Sequence, residues 1–255
     1  MGRALILAVA NDARFDVVGG TERTGSPLIG TDIGLLDGKA ASGQLISRAV
    51  NEACQDAQVW IDFTSPAATI AALSALSSAK VKAAIIGTTG FDSAQIDAIK
   101  EAATKISIVQ SGNFSLGVNL VAGLVRQAAA RLGPDWDIEV IESHHHQKVD
   151  APSGTALMLG RAAAAGRGVD HQEVATYARH GKTGARRAGD IGYAVIRAGG
   201  IIGDHDVMFA ADDEIVTLSH KAASRTIFAK GALAAAAWAV SQKPGLYSMD
   251  DVLGL

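Results

Sequence analysis

The sequence predicts an α/β fold in two parts: a doubly wound parallel sheet covered on both faces, then an α+β domain built on a mixed sheet. Three observations carry this. In the first half, continuous apolar runs of strand length alternate with helical stretches, the grammar of parallel strands buried on both faces. After Gly133-Pro134 the grammar changes: 137–143 alternates polar with apolar, and later short runs separated by turn residues read as antiparallel strands. No internal repeat, low-complexity tract or long linker interrupts the two halves.

Taken in order, a helix over 3–13 leads a strand over 16–20 (DVVGG). Three strand–turn–helix units follow. Residues 59–63 (VWIDF) run into Thr64-Ser65-Pro66 and an alanine-rich helix. Residues 83–86 (AAII) run into Gly87-Thr88-Thr89-Gly90 and a helix over 93–104, and 106–109 (ISIV) into Ser111-Gly112-Asn113-Phe114 and a helix over 116–131. In the second half 137–143 alternates as a strand, and Pro152-Ser153-Gly154-Thr155 opens a helix. Segments 191–197, 206–210 and 215–219 read as antiparallel strands turning near Gly199-Gly200 and Asp212-Asp213. An alanine-rich helix over 225–241 closes the pattern. The implied division is 1–115 with 225–255 for the first domain and 116–224 for the second.

A chain of 255 residues can bury a substantial core. With 48% hydrophobic and 19% charged residues it is globular rather than disordered. A formal charge of −3 argues against general affinity for nucleic acid or an anionic membrane. The single Cys54 excludes an intrachain disulfide and suits a reducing, cytoplasmic compartment. The longest apolar stretch, 232–240, is too short to span a bilayer. Met1-Gly2-Arg3 before the apolar 4–10 imitates a signal peptide, but falls short of the usual length of about 15–30 residues.

Ligands of doubly wound sheets settle outside the carboxyl ends of the strands. Three such ends here carry Thr64, Gly87-Thr88-Thr89 and Ser111-Gly112-Asn113-Phe114, small or amide-bearing residues whose backbone N–H groups can approach an anion or a carboxamide. As single turns they would mean only turn chemistry; three in succession point to a cofactor crevice. Glu22 follows the predicted strand 16–20, where a carboxylate can accept from the ribose hydroxyls of NAD, and the adjacent Arg23 can pair with the 2′-phosphate of NADP. A solvated surface pair is the plainer alternative.

The densest chemistry lies in 142–156 (ESHHHQKVDAPSGTA). Three histidines and Lys148 share one loop between a strand and a helix. Histidine delivers or accepts a proton near neutral pH, and Lys148 offers a fixed positive charge or a proton. Ser153-Gly154-Thr155 stands at a helix start, where N–H groups and the dipole attract anions. Together these suit a small dicarboxylate that must be protonated. A metal site is disfavoured, because adjacent strand residues point to opposite faces and zinc ligands are spaced more widely.

This loop resembles the 4-hydroxy-tetrahydrodipicolinate reductases, whose signature E-x-H-H-x-x-K-x-D-x-P-S-G-T-A is met from Glu142 to Ala156 without a mismatch. The similarity extends to Asp62-Phe63-Thr64, Gly87-Thr88-Thr89-Gly90-Phe91, Asn113-Phe114-Ser115, a Gly203-Asp204-His205 turn, His220-Lys221 and Ser224-Arg225. The resemblance implies a Rossmann-like dinucleotide-binding domain closed by the C-terminal helix, and a second domain that binds substrate and builds a homotetramer. It implies hydride transfer from NADH or NADPH to a cyclic dicarboxylate with loss of water. On the same basis His144 is the acid/base residue and Lys148 the proton donor, while His145, Gly154 and Thr155 hold substrate. Glu22 and Arg23 meet the adenosine ribose; Gly87, Thr88 and Thr89 line the cofactor; Ser111, Gly112, Asn113 and Phe114 lie by the nicotinamide. No metal is implied.

The family pattern opens with a strand and a glycine fingerprint ending in M-G-R, whereas this sequence begins at Met1-Gly2-Arg3. The chain as written is therefore expected to bind pyrophosphate poorly, and a start further upstream would supply the fingerprint. Two alternatives stand beside the reductase: another nicotinamide-dependent amino-acid dehydrogenase, and a scaffold that has lost catalysis.

Overall fold

A computed structural model describes residues 1–38, 40–76 and 80–255. Packing divides the chain into two compact units, 1–115 with 226–254 and 116–225 with Leu255. In chain order the first unit contains α1 (Gly2–Val9), β1 (Gly20–Thr21), β2 (Ile46–Ser47), α2 (Val50–Ala53), β3 (Val59–Asp62), α3 (Pro66–Leu76), β4 (Ala83–Ile86), α4 (Ser93–Ala103) and β5 (Ser107–Gln110). The second unit holds α5 (Leu116–Arg131), β6 (Asp137–His144), α6 (Gly154–Arg167), α7 (His171–Val174), β7 (Ala175–Thr176), β8 (Ile191–Arg197), β9 (Asp204–Ala210) and β10 (Ile215–Lys221). The chain then returns to the first unit with α8 (Thr226–Ala239), β11 (Gly245–Tyr247) and α9 (Met249–Leu253).

The first unit is Rossmann-like: its sheet runs β11-β5-β4-β3, with every pair parallel. Strand alternation sends successive residues of the fully buried β4 to opposite faces. Ala83 and Ile85 join Val109, Phe114 and the buried alanines of α8, while Ala84 and Ile86 join Leu73, Leu76 and Ile99 from α3 and α4. Both faces are thus covered, which is why the run AAII contains no polar residue. Helix α4 starts where Asp92 accepts from the Gln95 N–H and Gln95 accepts from the Asp92 N–H, a reciprocal cap. The alanines of α8 bring the helix close enough for Ser107 Oγ to donate to the Ala239 carbonyl at 2.7 Å.

The strand expected over 16–20 is reduced to β1, which pairs in parallel with β2 in a separate two-stranded ladder. Residues 15–19 join no ladder. A strand needs a neighbour for its N–H and C=O groups, and among the described residues only Gly20 and Thr21 find one. Val18 packs against the core without one. The first helix ends at Val9 rather than at residue 13.

The second unit holds a five-stranded sheet in the order β10-β9-β6-β8-β7. The β6–β9 and β9–β10 pairs are antiparallel, but β8 lies parallel to β6, correcting the expected direction. The reason is the connection: the chain passes through α6 between β6 and β8, and a parallel neighbour requires such a crossover. Ile138, Val140, Val207 and Phe209 pack from the sheet on Val125 of α5 and Leu159 of α6. The expected Gly203-Asp204-His205 turn is instead Gly203 followed by the start of β9. Among the described residues no helix is long and apolar enough to cross a membrane.

Candidate functional site

Register brings four strand ends to one edge of the second sheet. His144 ends β6 opposite Arg197, the last residue of β8, and Ser143 lies opposite Asp204, the first residue of β9, which in turn pairs with Lys221 of β10. On β6 the alternation buries Ile138, Val140, Glu142 and His144 on the same face. Glu142 and His144 are therefore neighbours by strand period.

The Glu142 carboxylate is enclosed and filled. Arg197 clamps it with two arms, Nη1 to Oε2 at 2.8 Å and Nη2 to Oε1 at 2.7 Å. The Ser153 N–H donates to Oε1 at 3.0 Å, and His144 Nδ1 lies 2.6 Å from Oε2. Burial raises the Glu142 pKa, but the Arg197 fork, His144 and the Ser153 N–H outweigh it, so the net shift is downward. The other ring nitrogen, His144 Nε2, faces Gly203, where an added Cβ would stand 3.0 Å away. Glycine at 203 thus spares Nε2 the close contact of a Cβ at that position.

A second histidine backs the first. His205 is 4% exposed, and its ring meets that of His144 edge-on at 5.1 Å between centroids. Its Nε2 lies 3.0 Å from Ser153 Oγ, which also accepts from the Ala156 N–H as the cap of α6. Its Nδ1 is buried without a partner among the described residues. Burial first, then His144, lowers the His205 pKa to about 4, so the ring is neutral near pH 7.

Around this core the loop carries charges of both signs. Lys148 Nζ donates to Asp150 at 2.7 Å, and this bond first of all holds the Asp150 carboxyl below its usual range. Arg225 Nη2 lies 3.2 Å from His145 Nε2. Partial burial and then Arg225 push the His145 pKa down. His145, Gly199, Ile202 and Arg225 line an open pocket of ≈ 330 Å³. Gly154 and Thr155 form the first turn of α6. The loop therefore brings together His144, His145, Lys148, Gly154 and Thr155. It adds Arg197 and His205, which the sequence reading did not assign. Among the described residues no group of three or more His, Cys, Asp or Glu is arranged to hold a metal ion.

The first unit carries the other candidate residues at its strand ends. Gly87 follows β4, and a Cβ there would strike the Phe63 ring at 2.1 Å; only glycine lets the turn sit this close. Phe63 packs edge-on against Phe114 at 5.4 Å. The Thr88 hydroxyl is engaged internally with Asp62 Oδ1, Thr69 Oγ1 and the Thr64 N–H. Thr88 therefore shapes the turn through its side chain, and Thr89 is the exposed member. Ser111 Oγ and Asn113 lock the next turn, with the Asn113 side chain accepting from the Ser115 N–H. Gly112 is exposed at its tip, whereas the Phe114 ring is buried. Glu22 follows β1 and accepts from the Arg23 N–H at 2.9 Å, with Arg23 itself exposed. Close-lying turn backbone plus a carboxylate and a guanidinium is the donor and acceptor set a dinucleotide requires.

The sequence profile for the N-terminus of dihydrodipicolinate reductase matches residues 1–114, and that for its C-terminus matches 117–253. The 4-hydroxy-tetrahydrodipicolinate reductase of Dinoroseobacter shibae is 52% identical over 255 residues, covering 100% of this chain and 94% of the relative. That of Parvibaculum lavamentivorans is 50% identical over 256 residues with the same coverage. Among solved structures, a dipicolinate-bound dihydrodipicolinate reductase from Paenisporosarcina sp. TG-14 superposes with a TM-score of 0.73 at 22% identity, covering 97% of this chain and 92% of that one. The chain belongs to the 4-hydroxy-tetrahydrodipicolinate reductase family, NAD(P)H-dependent oxidoreductases that reduce 4-hydroxy-tetrahydrodipicolinate to tetrahydrodipicolinate in lysine and diaminopimelate biosynthesis.

Proposed function

We propose that the loop from Glu142 to Thr155 performs the proton and anion-binding half of this reaction, with His144 as the acid/base group and Lys148 as proton donor. The carrying observation is His144 itself: one nitrogen anchored on a buried carboxylate, the other beside Gly203, where no Cβ intrudes. The overall change consumes a hydride and a proton and releases the substrate hydroxyl as water. The proton therefore has to reach the departing hydroxyl, and a positioned histidine or lysine is the group that supplies it. His145, with Gly154 and Thr155 at the start of α6, holds the substrate carboxylates, using the helix dipole and the first-turn N–H groups.

NADH or NADPH, which supplies the hydride when bound, is held by residues of the first unit. Glu22 and Arg23 serve the adenosine ribose, Gly87, Thr88 and Thr89 the cofactor backbone, and Ser111, Gly112, Asn113 and Phe114 the nicotinamide side. Thr88 and Phe114 act through their main chain, since their side chains are buried. The first unit is accordingly the dinucleotide-binding domain and the second the substrate-binding domain.

The second unit also assembles a homotetramer. The sheet face turned away from α5 and α6 carries Ile196 and Ile215, 48% and 63% exposed, an apolar surface suited to a second copy. The enzyme is cytoplasmic, in keeping with a single, buried, free Cys54.

Calorimetry with dipicolinate tests the anion-binding reading, because the reductase structure from Paenisporosarcina holds that dicarboxylate. His145→Ala is expected to weaken binding by about 10- to 100-fold, the worth of a hydrogen bond to a charged group. Unchanged affinity would assign the dicarboxylate elsewhere.

A further inference from the structure

We propose that Glu142, clamped by Arg197, is a positioning residue that fixes His144 as its Nδ1–H tautomer and so leaves Nε2 as the atom that exchanges the proton. The inference rests on the acid/base reading of His144 and names what sets that group's orientation and protonated nitrogen.

An ionised carboxylate can only accept hydrogen bonds. Glu142 receives four: two from Arg197, one from the Ser153 N–H and one from His144 Nδ1. The carboxyl side chain is 0% exposed and that of Arg197 19%, so the carboxylate is shielded from water and its four partners are protein groups. A planar guanidinium forking onto both oxygens fixes the carboxylate plane as a lysine could not. With Glu142 ionised, the nitrogen 2.6 Å from Oε2 must carry the hydrogen, and in the neutral ring Nε2 then carries the lone pair.

The surroundings agree with this assignment. His205 presses edge-on against the ring and is neutral near pH 7, so it brings no competing charge. Lys148 is paired with Asp150. Gly203 lies beside Nε2, and Ser153 links the Glu142 carboxylate to the start of α6 through its N–H. Arg197 is 55 positions from Glu142 in sequence and ends the strand paired in parallel with β6. The orienting pair is thus built by the β6–α6–β8 crossover rather than by the loop.

Nitrogen-15 NMR of histidine-labelled protein reads the tautomer directly. Neutral His144 in the wild type is expected as the Nδ1–H form. Glu142→Gln should mix the two forms, because an amide can donate to Nδ1 as well as accept from it. It should also lower kcat by about 10²- to 10⁴-fold, the range for mispositioning a catalytic imidazole, with NADH affinity within about 2-fold of the wild type. Arg197→Lys, which keeps the charge but not the fork, is expected to lose less, and it decides the matter should Glu142→Gln not fold. An Nε2–H form in the wild type would overturn the proposal. So would a folded Glu142→Gln enzyme with wild-type kcat beside an impaired His144→Gln enzyme. If His144→Gln itself kept wild-type kcat, the acid/base reading would fall, and the wild-type tautomer would still sustain or refute the positioning.

Discussion

Acidification should weaken the fold through His205, by an amount that follows from its burial. The ring is 4% exposed, one nitrogen has no partner among the described residues, and the other faces a hydroxyl that is already a helix cap. Its pKa falls from 6.5 to about 4, first through burial and then through His144. Between those values the unfolded chain takes up a proton that the folded chain refuses, so stability is lost as pH falls below about 6.5, and the loss is complete below about 4. At 1.36 kcal/mol per pH unit the full gap is worth about 3 kcal/mol, of which about 2 kcal/mol is lost by pH ~5. That is a sizeable part of the ~5–15 kcal/mol that holds a typical domain. Other groups titrate in the same range, so the informative quantity is a difference between proteins. Urea unfolding of the wild type and of His205→Gln should be compared at pH ~7.5 and pH ~5. The variant is expected to be less stable at the higher pH but to lose about 2 kcal/mol less on acidification. Parallel pH dependence in the two proteins would show that His205 is protonated in the native state and that its burial has been misread.

The exposed Arg23, beside Glu22, should matter for one cofactor more than the other: Arg23→Ala is expected to weaken NADPH more than NADH in fluorescence titrations, and equal losses would make it an ordinary surface charge. Gly87→Ala places a methyl carbon 2.1 Å from the Phe63 ring. Forcing Phe63 off Phe114 should cost about 1–3 kcal/mol and weaken both cofactors, and an unchanged melting temperature would contradict that packing. Phe209→Ala, at 0% exposure in the second core, should cost about 3–5 kcal/mol in urea unfolding, whereas a loss below about 1 kcal/mol would show that the site collapses around the cavity.

How legible each part was depended on the range of the interactions that make it. The run AAII announced a strand covered on two faces, and Ala83–Ile86 is one, because burial on both faces is written into consecutive residues. The alternation in 137–143 likewise announced which residues of β6 share a face. Direction was not legible: nothing local in Ile191–Arg197 distinguishes a strand parallel to β6 from an antiparallel one. Nor was β11 (Gly245–Tyr247), three residues long with Leu246 41% exposed, which is a strand only because β5 lies beside it. Residues 16–19 show the converse, an apolar run that finds no ladder. Within the candidate site, the 142–156 motif marked the loop, and strand period would have paired Glu142 with His144. Arg197 and His205 reach the loop through sheet register, 55 and 52 positions from the residues they touch, and no local spacing reports such pairings.

The central claim is that His144 transfers the proton accompanying reduction, and single-turnover kinetics test it most directly. With cofactor and substrate saturating, the fall in nicotinamide absorbance would be followed for the wild type and for His144→Gln. A rate lowered by about 10²- to 10⁴-fold, with NADH and dipicolinate affinities retained, is the predicted result. A His144→Gln enzyme oxidising the nicotinamide at the wild-type rate would contradict the claim and remove His144 from the proton step.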